Sequence, residues 1–118
     1  MLNKAIKFAS NNQQNGRFTL CAIITDKKGR ILSTALNSYT KTHPKMAYYA
    51  EKVGTKNRIF LHAEIAAIIA LKYTDEPYAI YVARVGKNGQ PLLGKPCAIC
   101  QAAIQDVGIK QVYYTRSE

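Results

Sequence analysis

Two short phrases in this chain hold residues suited to catalysis: His62-Ala63-Glu64 and, further along, Pro96-Cys97-Ala98-Ile99-Cys100. A catalytic zinc takes three protein ligands from His, Cys or carboxylate and keeps a fourth position for water. His62, Cys97 and Cys100 form such a set. Cys97 and Cys100 are three apart, so on a helix they share a face and can reach one ion. Neither phrase means much alone, since His-x-Glu is common and Cys-x-x-Cys also describes a redox pair or two buried thiols. The reading comes from their conjunction, each at the start of an expected helix, where unpaired N–H groups and the helix dipole favour thiolates and other negative charge.

The elements that must position these groups are legible from periodicity. Leu2, Ala5, Ile6 and Ala9 have helical spacing, and the polar run Asn11–Gly16 ends that helix. Phe18–Thr25 and Arg30–Leu36 are β-prone runs joined by Asp-Lys-Lys-Gly, which predicts a hairpin. A long connection follows from Asn37 to Asn57, of which Met46–Val53 can form a short helix. Ile59–Lys72 is apolar nearly all round, interrupted by His62 and Glu64, and predicts a helix covered on most sides. Tyr78–Val85 is a strand, Gly86–Lys95 a Gly/Pro-rich loop, Cys97–Val107 a helix opened by Pro96, and Lys110–Thr115 a last strand. The order α-β-β-α-β-α-β predicts an α/β class, a three-layer α/β/α sandwich with a mixed sheet whose C-terminal half is parallel.

His-x-Glu followed by Pro-Cys-x-x-Cys is the signature of zinc deaminases acting on cytosine or adenine. From the Phe18 hairpin through the final strand the chain resembles the cytidine deaminase superfamily. The phrases His62-Ala-Glu-Ile-Ala-Ala and Pro96-Cys-Ala-Ile-Cys-Gln-Ala-Ala-Ile-Gln-Asp-Val-Gly-Ile-Lys, with histidine where the small cytidine deaminases usually have cysteine, are most similar to its deoxycytidylate deaminase branch. The resemblance implies a Zn2+ that activates water for attack on the amine-bearing carbon, with Glu64 moving the protons. It further implies that the backbone at Ala63 bonds the base and that Asn37, just after the second strand, contacts the sugar. The segment that binds phosphate in ordinary deoxycytidylate deaminases has no close counterpart here. Many relatives also carry a further strand and helix, so the edge of the last strand is expected to be covered by another subunit, in a homo-oligomer.

The 118 residues have the size of one domain, 1–118, and their 47% hydrophobic and 20% charged composition is that of a folded protein. Three cysteines with no signal peptide suggest a reducing, cytoplasmic setting, and the most apolar run is too short to span a bilayer. The net charge is +10, and residues 1–58 carry +9 of it. Such a bias concentrates phosphate-bearing partners, whether nucleotides or nucleic acid; its plainer reading is a solubilising surface. Tyr39, Lys41, Thr42, Lys45, Tyr48, Tyr49, Lys52, Lys56 and Arg58 interleave bases with aromatics, suited to stacking a base and holding phosphate, or else a helix-loop packed on the domain. Tyr39, Lys41 and His43 are the candidate substrate contacts in it, with His43 either lining the entrance or solvated. Cys21, among Leu20, Ala22 and Ile23, reads as core and not as a fourth ligand.

The expected function is zinc-dependent hydrolytic deamination of a cytosine base in a nucleoside or nucleotide, with a monophosphate as first choice. Alternatives are a deaminase of single-stranded DNA or RNA, or a zinc-holding binding module without catalysis. An adenine or modified pyrimidine as target base also stays open.

Overall fold

The computed structural model describes residues 1–14, 16–55 and 60–117. Asn15 of the first polar run, Lys56, Asn57 and Arg58 of the basic segment, Ile59 at the expected start of the apolar helix, and Glu118 lie outside the described residues.

Nine elements follow one another: α1 (Leu2–Asn11), β1 (Thr19–Thr25), β2 (Ile31–Leu36), α2 (Pro44–Lys52), α3 (Ala63–Ile69), β3 (Ala79–Val85), β4 (Pro91–Leu92), α4 (Ala98–Asp106) and β5 (Gln111–Tyr114). The hairpin forms as expected. Asp26 accepts from the backbone N–H groups of Lys28 and Arg30, and Gly29 takes the left-handed φ of 84° that closes the turn. β1 pairs antiparallel with both β2 and β3. The outer edge of β3 is shared: its first half, Ala79–Val82, runs parallel to β5, while Arg84 and Val85 meet β4 antiparallel. The sheet is therefore mixed, and its parallel pair encloses the crossover through α4.

Alternation along β1 and β3 divides the core in two. Cys21, Ile23, Ala83 and Val85 face α1, whose Ala5 and Ala9 lie one helical turn apart and let the helix sit close to the sheet. Ala22, Ile24, Ile80 and Val82 face the other way, against Met46, Ala50, Ile65, Ile68, Ile99 and Ile104 of α2, α3 and α4. The result is a three-layer α/β/α arrangement.

Three expectations need correction. The order gains a helix and a short strand, because α2 is a full helix of nine residues and β4 forms within the Gly86–Lys95 loop. The helix expected over Ile59–Lys72 is Ala63–Ile69 only. Phe60 bridges Thr42 and the Leu61 N–H donates to the Lys41 carbonyl, so residues 60–61 are extended, and a turn closed by Asp75 follows at the other end. Apolar composition does not distinguish such an extended approach from a helix. Finally, Pro96 is not the first helical residue of α4: Cys97 is the N-cap, and the Pro96 carbonyl accepts from the Gln101 side chain.

Candidate active site

His62 and Cys97 are both N-caps with extended backbone, of α3 and α4 respectively. Each reaches its place by a tether. The Leu61 carbonyl accepts from the Ser38 N–H, holding the approach to α3 against the segment after β2, and the Cys97 carbonyl accepts from the Gln101 N–H in the first turn of α4. The two helix heads meet at one end of the sheet. His62 Nδ1 lies 3.3 Å from Cys100 Sγ and 3.5 Å from Cys97 Sγ, and the three donor atoms are within 4.8 Å of one another.

These spacings suit zinc. With Zn–S near 2.3 Å and Zn–N near 2.0 Å, a tetrahedral ion sets its donors roughly 3.5–3.8 Å apart. Among the described residues this is the one His/Cys/Asp/Glu group gathered closely enough to hold a metal. Cys21 is buried in the α1 layer, away from it, and burial pushes its thiol up to about 12. The two cysteines of the set are polarised in opposite senses. The Cys100 thiol donates to Cys97, which with His62 nearby brings Cys97 down to about 3, while the same bond and burial push Cys100 up. One thiolate is thus ready at a helix N-terminus.

Glu64, in the first turn of α3, is 3% exposed, and burial raises its carboxyl above the usual range. Its Oε1 is buried with no hydrogen-bond partner among the described residues. A buried carboxylate oxygen without a partner is costly, and here it sits beside the donor set at a cavity wall.

The cavity has a volume of about 480 Å³ and holds His62, Ala63, Glu64 and Cys97 in its wall. Asn37 lines it too. Its Oδ1 is committed to the Leu20 N–H at 2.9 Å and to Gln14 Nε2 at 3.1 Å, which leaves Nδ2 as its donor for a ligand. Tyr39 contributes its ring, since its hydroxyl donates to the Phe18 carbonyl and the Arg17 guanidinium covers it at 4.7 Å. Lys41 and His43 stand outside the wall. Lys41 is the backbone partner of Leu61, and His43 caps α2 by accepting the Lys45 N–H on Nδ1 at 3.0 Å. The aromatics of α2 pack on the domain: Tyr49 is buried with its hydroxyl on Asp106 of α4, and only Tyr48 is open, at 58%.

Sequence reasoning missed the rest of the wall: Phe18, Leu20, Ser38, Phe60, Leu61, Arg84, Leu93, Gly94 and Lys95. Most had no local signal, because five separate segments contribute them. Arg84 did have one. Ile80, Val82 and Arg84 share a face of β3, and a cation ending an apolar stripe marks the point where the covering helices stop.

A donor set of one imidazole and two thiols, beside a buried carboxylate at the head of the same helix and a cavity, defines a zinc-dependent hydrolytic centre on a three-layer α/β/α fold. Residues 1–116 match the model of the cytidine and deoxycytidylate deaminase zinc-binding region, and the chain belongs to that family. Its zinc-binding character is therefore that of the family. The fold is similar to two crystal structures of cytidine deaminase from Mycobacterium tuberculosis, a glutamate-to-glutamine and a glutamate-to-aspartate mutant. Each is 22% identical over 98% of this chain; the match covers 86% and 83% of those chains, with TM-scores of 0.58 and 0.57. No curated protein matches the sequence. None of the described helices is long and apolar enough to cross a membrane.

Proposed function

We propose that this protein deaminates a cytosine base in a nucleoside or nucleotide, a monophosphate in the first instance, releasing the uracil product and ammonia. The observation that carries the proposal is the position of Glu64: buried, with an unpartnered oxygen, at a cavity wall shared with His62 and Cys97. His62, Cys97 and Cys100 would hold the zinc, which when bound would supply Lewis-acid charge that lowers the pKa of a water. Glu64 takes a proton from the attacking water as the water oxygen bonds to the amine-bearing carbon, and delivers it to the adjacent ring nitrogen. It then moves the proton of the newly added hydroxyl to the amine, so that the C–N bond breaks as the C=O bond completes and ammonia leaves. Burial suits Glu64 to the task by favouring its protonated form between the two transfers. The Ala63 backbone and Asn37 Nδ2 orient the base and sugar, and the Tyr39 ring supports them.

Three free cysteines and the absence of a disulfide among the described residues fit a reducing, cytoplasmic setting. A homo-oligomer fits the edge of β5, whose Val112 and Tyr113 are exposed.

The test is mass-spectrometric detection of amine-to-oxygen exchange. The zinc-loaded protein is incubated with cytosine and adenine nucleosides, their 5′-monophosphates and a single-stranded oligonucleotide. Conversion of a cytosine monomer supports the proposal. Conversion of the oligonucleotide alone replaces it with a polynucleotide deaminase, and no conversion by metal-replete protein overturns it in favour of a binding module.

A further inference from the structure

We propose that Arg84, assisted by Lys95, forms an anion-binding wall of the cavity that recognises a phosphate on the substrate; this rests on the deaminase reading above. Arg84 is half-buried at the end of β3, on the face that α3 and α4 cover elsewhere. Its guanidinium lies 4.3 Å from the centroid of the Phe18 ring, and among the described residues no carboxylate pairs with it. An arginine held against a ring and without an acid is set to receive one from outside, and its fork of N–H groups suits phosphate oxygens.

The backbone around Arg84 is fixed by one buried threonine. Thr115 Oγ1 accepts the Arg84 N–H at 3.0 Å and donates to the Leu92 carbonyl at 2.6 Å, while the Thr115 carbonyl accepts the Gly94 N–H at 2.9 Å. This draws residues 92–94 down onto β3. The approach needs glycine at 94, where a Cβ would stand 3.0 Å from the Val82 carbonyl oxygen. Lys95 follows immediately and joins the wall. The cavity is thereby lined by two cations, Arg84 and Lys95, with Glu64 and Cys97 as its acidic groups. These residues come from β3 and from the segment between it and α4, a different part of the chain from the basic residues 1–58.

The phosphate can be a terminal monoester or the backbone of a strand, and binding of unreactive products distinguishes them. Titration calorimetry on zinc-loaded protein would compare 2′-deoxyuridine, its 5′-monophosphate and a short deoxyuridine oligonucleotide. The monophosphate is expected to bind about tenfold more tightly than the nucleoside, a preference that weakens with added salt. Arg84→Gln should erase most of that preference while leaving nucleoside affinity unchanged. Arg84→Lys should keep part of it, and Lys95→Gln, at an exposed position, should reduce it by a smaller factor. A preference for the oligonucleotide alone that Arg84→Gln removes assigns the wall to a strand backbone. The proposal is overturned if wild-type protein shows no phosphate preference, or if Arg84→Gln weakens nucleoside and monophosphate equally, as loss of mere packing on Phe18 would. Deamination without phosphate preference sinks this inference alone, whereas phosphate preference without deamination sinks the function and leaves the wall.

Discussion

His62 Nδ1, at the head of α3, lies 3.5 Å from Cys97 Sγ, at the head of α4, although α3 and the strands β3 and β4 separate the two residues in the chain. Neither helix alone could make a site. Removing any one donor should therefore remove the metal: His62→Ala, Cys97→Ala and Cys100→Ala are each expected to lower zinc content from about one per chain to near none. Chelation of the wild type should lower its melting temperature as well. A ligand present a thousandfold above its Kd contributes about 4 kcal/mol, which for a chain of this size corresponds to roughly 10–20 °C. Metal analysis and calorimetric melting check both.

Glu64→Gln separates proton transfer from metal binding. The amide keeps the shape of the side chain but cannot take up a proton, so kcat should fall by about 10²–10⁴-fold with zinc content unchanged. Stability should change little, because one buried polar group replaces another of the same shape. Full activity in a metal-replete variant would exclude Glu64 as the proton carrier.

Asn37 has a structural edge and a binding edge. Asn37→Ala leaves the Leu20 N–H without its acceptor and should cost about 1–3 kcal/mol of stability. Asn37→Asp preserves that acceptor and removes the Nδ2 donor, so the fold should hold while KM rises. Denaturant unfolding and steady-state kinetics on the two variants test the division.

Tyr49 ties α2 to α4 through its hydrogen bond to Asp106, 2.8 Å long. Burial, with the Asp106 carboxylate beside it, raises the hydroxyl from 10.0 to about 12. The folded state therefore holds this proton more tightly than the unfolded chain. The resulting stability is fully present below pH 10 and is lost as pH rises from there toward 12. Tyr49→Phe should cost about 1 kcal/mol at neutral pH and flatten that part of the alkaline stability profile. A profile unchanged by the substitution would show that the hydroxyl does not titrate with folding.

The group His62, Cys97 and Cys100 that can hold a metal was legible because its chemistry depends on residue type and on spacings within a single helical turn. Cys97 and Cys100 share a face on any helix, and Pro96 marked the start of theirs, whereas the N-cap position of His62 came from the structure. The α/β class and mixed sheet were legible for a similar reason: the β-prone runs Phe18–Thr25 and Tyr78–Val85, and the helix between the last two expected strands, are local patterns with few global solutions. The helix α2 was less clear, although Pro44 after His43 is a helix-start pair, because its tyrosines and lysines hide which face is buried.

What only the tertiary structure decided is which distant segments close the cavity. Lys41 and His43 looked well placed in the chain, yet neither lines the cavity, and the His43 ring caps α2. Arg84 and Lys95 carried no motif, but the bonds of Thr115 to Arg84, Leu92 and Gly94 bring their segments together in the wall. A motif is written in neighbouring residues, so sequence determines it directly. A pocket wall is a sum of long-range contacts, and their partners are named only when the sheet, its register and the helices above it are in place.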